Sequence, residues 1–287
     1  MKKILCVCAV LLMTFSSLFS VSAKESNKTL EINNETQLAS FLNGEYSEQY
    51  DTFILCNHIT LTAETGHCEF SGLFDGKGYS IMLENGGTGL FSKVNKNAVI
   101  RNLSVKGAVG GNDAEKVNGL CEENNGTVEN CIITASFSAT SEMNGICSVN
   151  NGKIINCAVL GEPKPSENGV AVWHPATSFN NGEIARFYYI KDYVKTLENI
   201  GTAIDIEQCK NGELTDMLNA YASDNSSLVN WGGESGTYPQ FIVPKGTASV
   251  FENNQAILVT CFVVSVVALL IFFIFYTDKR LKKAKSE

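Results

Sequence analysis

Histidine is almost missing from this 287-residue chain: there are three, His58, His67 and His174, and they are dispersed. Three scattered imidazoles supply neither a catalytic triad nor a zinc site, and each is read as a single surface histidine. No Cys-x-x-Cys pair, His-Glu-x-x-His, Gly-x-Ser-x-Gly or phosphate-binding glycine loop of the right length occurs. The expectation is therefore no catalytic residue, no metal and no cofactor. No repeat places Asp in a recurring column, which weighs against a calcium- or carboxylate-dependent lyase or glycosidase without excluding one. Positive charge is short as well, at 22 Lys and Arg against 30 Asp and Glu. Setting aside seven basic residues near the ends (Lys2, Lys3, Lys279, Arg280, Lys282, Lys283, Lys285) and two acids (Asp278, Glu287) leaves 15 basic and 28 acidic residues in 24–255, near −13. That balance disfavours nucleic acid as a partner.

What is present starts with the two ends. Lys2 and Lys3 precede an apolar run from Ile4 to Phe19 and the small residues Val21-Ser22-Ala23. This pattern predicts a secretory signal peptide over 1–23, cut after Ala23, in preference to a retained signal anchor. Ala256 to Tyr276 is a 21-residue stretch without a charge. As a helix it would be roughly 31 Å long, enough to cross a bilayer. The basic cluster that follows marks the cytoplasmic side, and it speaks against a glycolipid-anchor signal, which ends in its hydrophobic tail. The expectation is a single-pass type I protein at the cell membrane, with lipid as a partner through 256–276, a stalk over 244–255 and a basic tail over 277–287.

Between the ends the chain nearly repeats itself. Asn118 to Cys131 reads NGLCEENNGTVENC and Asn144 to Cys157 reads NGICSVNNGKIINC, 26 residues later. Fainter copies are read from Gly89 and from Gly169, giving steps of 30, 26 and 24 residues. Each holds a short apolar strand, an Asn-Gly turn and a second strand. Strands so short bury a face only by stacking on their neighbours, at about 4.8 Å per rung. The fold class this predicts is all-β: a short right-handed parallel β-helix over 51–190 with small helical capping elements, plus the C-terminal transmembrane helix.

An N-terminal cap over 24–50 carries a helix-start signal at Asn33-Asn34-Glu35-Thr36, ahead of Leu38, Phe41 and Leu42. Thr52 to Thr62 is rich in β-branched residues and reads as a strand, and Asp75-Gly76-Lys77-Gly78 reads as a turn. Past 190 the repeat fades. A short helix over Glu213 to Tyr221 and a loop and strand over Trp231 to Phe241 are read as a C-terminal cap (191–243) that covers the last open rung.

Seven cysteines lie in 24–255: Cys56, Cys68, Cys121, Cys131, Cys147, Cys157 and Cys209. Cys121 and Cys147 share one repeat column, and Cys131 and Cys157 another. A ladder of free thiols packed as small apolar residues, or bridges between rungs, would both satisfy the spacing. Trp173, Tyr188 and Tyr189 fall in the most divergent copy. They are the candidate ligand-binding residues, with structural packing as the competing account.

These residues resemble a known family. FSGLFDGKGYSI (Phe70 to Ile81), followed by TGLFSKVNKNAVIRNLSV, is similar to the opening of β-helices in bacterial, Firmicutes-type cell-surface proteins with GLUG-like repeats. The two close copies resemble the repeat itself, and the helix around Leu214, Trp231 and Tyr238-Pro239 resembles the usual close. The resemblance covers Thr52 to Phe241. It implies a non-catalytic adhesive or scaffolding role, with other surface or envelope proteins or extracellular glycan or matrix ligands as partners. A carbohydrate-binding or carbohydrate-cleaving β-helix, or an accessory subunit, would be the alternatives. Wall-attached relatives carry a Leu-Pro-x-Thr-Gly sorting signal. Here Val243-Pro244-Lys245-Gly246-Thr247 has Gly and Thr reversed, so the expectation is that the chain stays in the membrane.

Overall fold

The computed structural model describes residues 28–62, 67–111, 113–164, 171–194 and 200–243. The expected signal peptide, stalk, membrane span and tail lie outside them. Among the described residues no helix is long and apolar enough to cross a membrane.

The chain coils into a parallel β-solenoid of about six turns. Each full turn visits the same columns in the same order. The turn containing the first close repeat runs from Cys121–Asn124, through Thr127–Glu129 and Ile132–Ile133, to Ser136–Ser138 and Glu142–Asn144. Every strand then pairs in register with its counterpart one turn on. Cys121 lies opposite Cys147, Val128 opposite Ile154, and Val117 opposite Met143.

Apolar residues stack inside in continuous rows. Phe53, Phe74, Ile100, Val128, Ile154 and Ile184 form one row, and Ile81, Val105, Ile133, Val159 and Tyr189 another. The first helix, α1 (Glu35–Leu42), closes the core at the N-terminal end. Asn34 caps it by accepting the Gln37 N–H at 3.0 Å, and the Gln37 side chain returns a bond to Asn33 N–H. The pair satisfies one orphan donor of the first turn, the Gln37 N–H, and fixes the Asn33 N–H just ahead of the cap. Phe41 then reaches into a cluster with Phe53, Phe70, Phe74 and Phe91, its ring centre 4.4–5.9 Å from theirs.

Several elements differ from the sequence expectation. Thr52 to Thr62 is two strands, Thr52–Leu55 and Ile59–Leu61, in adjacent columns. A β-branched run reads alike on either side of a corner, which is why propensity alone merged them. The stack also includes Thr29–Ile32 before residue 51 and Thr202–Ile204 after residue 190. The fourth copy is registered from Pro175 rather than Gly169, because Cys147 pairs with Thr177 and Gly145 N–H donates to the residue before Pro175. Asn151 and Asn181 are bonded 30 residues apart, so the last step is 30. Gly169 itself lies outside the described residues.

From Asn102 onward the corner between the second and third columns is left-handed in four turns, with Arg186 taking it at φ 50° in the last. Asn102, Asn130 and Asn156 occupy it at φ of 55, 52 and 53°, a region asparagine tolerates better than other side-chain residues. Their carboxamides form a buried ladder. Asn156 Nδ2 donates to Asn130 Oδ1 (2.8 Å), Asn130 Nδ2 to Asn102 Oδ1 (2.9 Å), and Asn102 Nδ2 to Asp75 Oδ1 (2.9 Å). Asp75, 1% exposed, anchors the row and is paired with Arg101 Nε at 3.0 Å.

The C-terminal segment lies along this flank. Helix α2 (Ile206–Lys210) and helix α3 (Glu213–Ala222) lead into a two-stranded hairpin, Trp231–Gly232 with Gln240–Phe241. Asn156 Nδ2 also donates to Leu218 O, Asn130 Nδ2 to Val229 O, and Asn102 Nδ2 to Ser227 O. The segment thus lies along the flank as a strap across three rungs, where a cap over the last rung had been expected. Its apolar face (Leu214, Leu218, Leu228, Trp231, Phe241) covers Ile132, Ala158, Leu160, Tyr188 and Ile190, which point out of the solenoid. Phe241 reaches as far as Gly78, where an added Cβ would meet its ring-bearing carbon at 2.8 Å.

A charged groove as the candidate functional site

The strap covers one outward face of the solenoid; the opposite face is open and carries charge. In the strands Glu69–Phe70, Phe91–Val94, Cys121–Asn124, Cys147–Asn150 and Thr177–Asn180, the outward row reads Glu69, Lys93, Glu123, Val149 and Phe179. The neighbouring column contributes Lys116 and Glu142. Between the two columns runs a groove of about 500 Å³, lined also by Ser92, Glu122, Ser148 and Ser178.

Side chains in the groove are held by bonds within and between rungs. Lys93 Nζ lies 3.1 Å from Glu123, and Lys116 Nζ 3.6 Å from Glu142. Glu123 Oε1 accepts from Asn125 Nδ2 at 2.9 Å; Glu142 Oε1 accepts from Asn144 Nδ2 at 2.8 Å and Ser178 Oγ at 2.9 Å. Hydrogen bonds from Asn125 and Lys93 lower the Glu123 pKa. Partial burial of Glu142 acts upward, but Asn144, Ser178 and Lys116 together bring its pKa down. Both groups are therefore carboxylates at neutral pH, presented at fixed spacing by a stiff frame.

Two smaller hollows exist elsewhere. One of about 390 Å³ has an apolar floor of Leu61, Leu83 and Leu90 and a glycine-rich wall with His67 and Asp113. The other, about 280 Å³, lies between the stack and the strap, where His58 Nδ1 accepts the Ser80 N–H at 3.1 Å and sits 2.8 Å from Ser80 Oγ. Burial lowers the His58 pKa, with Lys106 acting in the same direction. Among the described residues no three His, Cys, Asp or Glu are grouped to hold a metal.

The sequence-derived candidates fall elsewhere. Tyr189 is 2% exposed, because it takes the inward position beneath Val159. Tyr188, beside Ala158, points outward but under the strap, and is 7% exposed. Trp173 is half-buried opposite Met143, its ring 4.8 Å from Phe137. The three rings are thus not brought together as an exposed patch, and packing accounts for each. The large ring that is exposed on this turn is Phe179. Lys93, Glu123, Lys116 and Glu142 were not singled out from sequence. Aligning the copies by column would have shown Lys93 with Glu123 in one outward row and Lys116 with Glu142 in another.

Four of the cysteines form a thiol ladder of two pairs. All seven described are free; Cys121 pairs in register with Cys147, and Cys131 lies one rung from Cys157. Contact with the Cys147 thiol, then burial, pushes the Cys121 pKa well up. For Cys131 burial is the larger cause, with Cys157 adding to it. Both stay protonated and pack as small apolar groups.

Comparison with protein families, curated proteins and solved structures found no match for this chain.

Proposed function

We propose that the chain is a membrane-anchored, non-catalytic surface interaction protein that presents its charged groove to an extracellular or envelope ligand. The observation that carries this reading is the pair of outward rows, Lys93 beside Glu123 and Lys116 beside Glu142, that flank one groove on a face the strap does not cover. A rigid row of ionised groups binds with little loss of side-chain freedom, and charge alternation selects a partner of matching pattern. Acid–base cleavage of a glycan would need one carboxyl held protonated. The resolved shifts in the groove both run downward, which supports binding over cleavage.

A carbohydrate ligand is the second reading. It is favoured by the amide and hydroxyl groups of Asn125, Asn151 and Ser178 interleaved with the charges. The test is a glycan and matrix-protein binding array with the purified chain beside its Lys93→Ala and Glu142→Gln variants. Saturable binding to one class, weakened in both variants, supports the groove. Equal binding by all three proteins would move the site elsewhere. Release of reducing sugar would overturn the non-catalytic reading.

A further inference from the structure

Asparagine followed by glycine is the pair at which a polypeptide most readily modifies itself. The glycine nitrogen, once it loses its proton, attacks the asparagine side-chain carbon, and glycine has no side chain to obstruct the ring that closes. This chain contains nine such pairs. The one at Asn168 lies outside the described residues.

In six of the other eight the fold already engages the glycine N–H. Gly44 donates it to Phe41 O, Gly119 to Asn144 O, Gly145 to His174 O, Gly152 to Asn124 O and Gly182 to Asn150 O, all at 2.9–3.0 Å. Gly126 donates to Asn124 Oδ1 at 3.1 Å. A bonded N–H is harder to deprotonate, and its turn must open before the nitrogen can attack. At Asn211-Gly212 the asparagine itself is held. Its Oδ1 accepts the Glu213 N–H and its Nδ2 donates to Glu213 Oε1, each at 2.9 Å.

Asn85-Gly86 has neither restraint. Among the described residues the Gly86 N–H has no acceptor and Asn85 Oδ1 has no donor. The exposed Asn85 side chain makes one bond, from Nδ2 to Thr62 O. The pair also lies on the wall of the glycine-rich hollow, in reach of the water that the second step consumes.

We propose that Asn85 is a site of spontaneous deamidation. The Gly86 nitrogen bonds to Asn85 Cγ, the Cγ–Nδ2 bond breaks, and Nδ2 leaves as ammonia with the proton that Gly86 gave up. The product is a succinimide. Water adds to either ring carbonyl and opens it, leaving aspartate or isoaspartate, and no oxidant or reductant is involved. The Nδ2 donor is then gone. Thr62, whose N–H and Oγ1 bind Glu35 of α1, loses its tie to the next rung, and a carboxylate faces its carbonyl instead. The new charge shares the hollow with Asp113, so a neutral stretch of its wall becomes anionic. None of this depends on what the charged groove binds.

The test is peptide mass mapping of the full-length chain in detergent, incubated in mildly alkaline buffer over a time series, native and in denaturant, beside Asn85→Gln. In the native protein Asn85 should convert at least tenfold faster than Asn118 and Asn144, with isoaspartate among the products. Its rate should rise with pH, because the attacking nitrogen must first lose its proton. In denaturant the rates at the eight pairs should draw together, since the protection belongs to the fold. Glutamine would have to close a larger ring, so Asn85→Gln should stay intact at that position while the other pairs behave as in wild type. A native rate at Asn85 no higher than at Asn118 and Asn144 overturns the proposal, as does earlier conversion at any other described pair. If the same order persists in denaturant, local sequence sets it and the structural argument fails.

Discussion

Trp231 donates its indole N–H to the side-chain oxygen of Asn130 at 2.7 Å, although 101 residues separate them. The same oxygen accepts from Asn156 Nδ2, while Asn130 Nδ2 binds Asn102 and Val229 O. One carboxamide therefore joins three rungs to the strap.

Replacing Asn130 with alanine strands the buried partners of these bonds and puts a Cβ-bearing residue with no polar side chain at φ 52°. A loss of about 3 kcal/mol is expected, from unpaired groups at about 1–3 kcal/mol and left-handed strain of about 1–2 kcal/mol. Asn130→Gly removes the strain alone, so it should be the more stable of the two by about 1 kcal/mol. Denaturant titration of both measures the difference. Equal midpoints would mean that backbone strain contributes nothing at this corner.

Rung spacing leaves no room beside the inner glycines. A Cβ on Gly119 would sit 2.0 Å from Gly145 O, and one on Gly145 1.9 Å from Pro175 O. Gly119→Ala should force the turns apart and destabilise by about 3 kcal/mol, the upper range for overpacking. Gly111→Ala, with nothing within 4 Å, should stay within about 0.5 kcal/mol. A thermal melt of each protein compares them.

The thiols give a chemical test. Burial raises the Cys68 pKa to about 11 and the Cys209 pKa to about 12. At pH 8 the native segment should react slowly with an aromatic disulfide reagent, with the half-buried Cys56 and Cys68 first. After denaturation without reductant, 24–255 should yield all seven thiols. Fewer would show that rungs are bridged.

The groove predicts a particular acid limb. The folded pKa of Glu142 is lowered, so its contribution to stability is complete above the ordinary glutamate value of about 4.3 and is lost as pH falls through the lower folded value. Wild type should exceed Glu142→Gln in stability at pH 6, and the gap should close towards pH 3. Denaturant midpoints across that range give the answer. A gap independent of pH would assign the effect to packing.

How much of this was readable beforehand follows from range. The 26-residue identity put Cys121 opposite Cys147 and Asn124 opposite Asn150, because in a solenoid the period is the register. The start of α1 was equally plain, since Asn34 and Gln37 act within one turn. The strap was not readable as a flank. Asn102 with Val229 spans 127 residues, and nothing local tells an asparagine that caps a turn from one that also receives a distant chain. Tyr188 and Tyr189 show the same limit: adjacent in sequence, they face the strap and the core in turn, and only the register assigns which. The groove was within reach of column alignment, but its charges belong to different copies and no single motif contains them.

The strap also acts as a counting device. Its contacts to Asn156 from Leu218, to Asn102 from Ser227 and to Asn130 from Val229 engage three consecutive corners, and Phe241 meets Gly78 on the turn before them. A tandem repeat invites unequal recombination, and gaining or losing one 26-residue unit would leave the coil itself geometrically sound. It would not leave the strap sound: every anchor beyond the altered turn would be displaced by a whole rung. The length of this solenoid is thus proofread by a segment outside the repeats, and a duplicated turn should be tolerated only where the strap is lengthened with it.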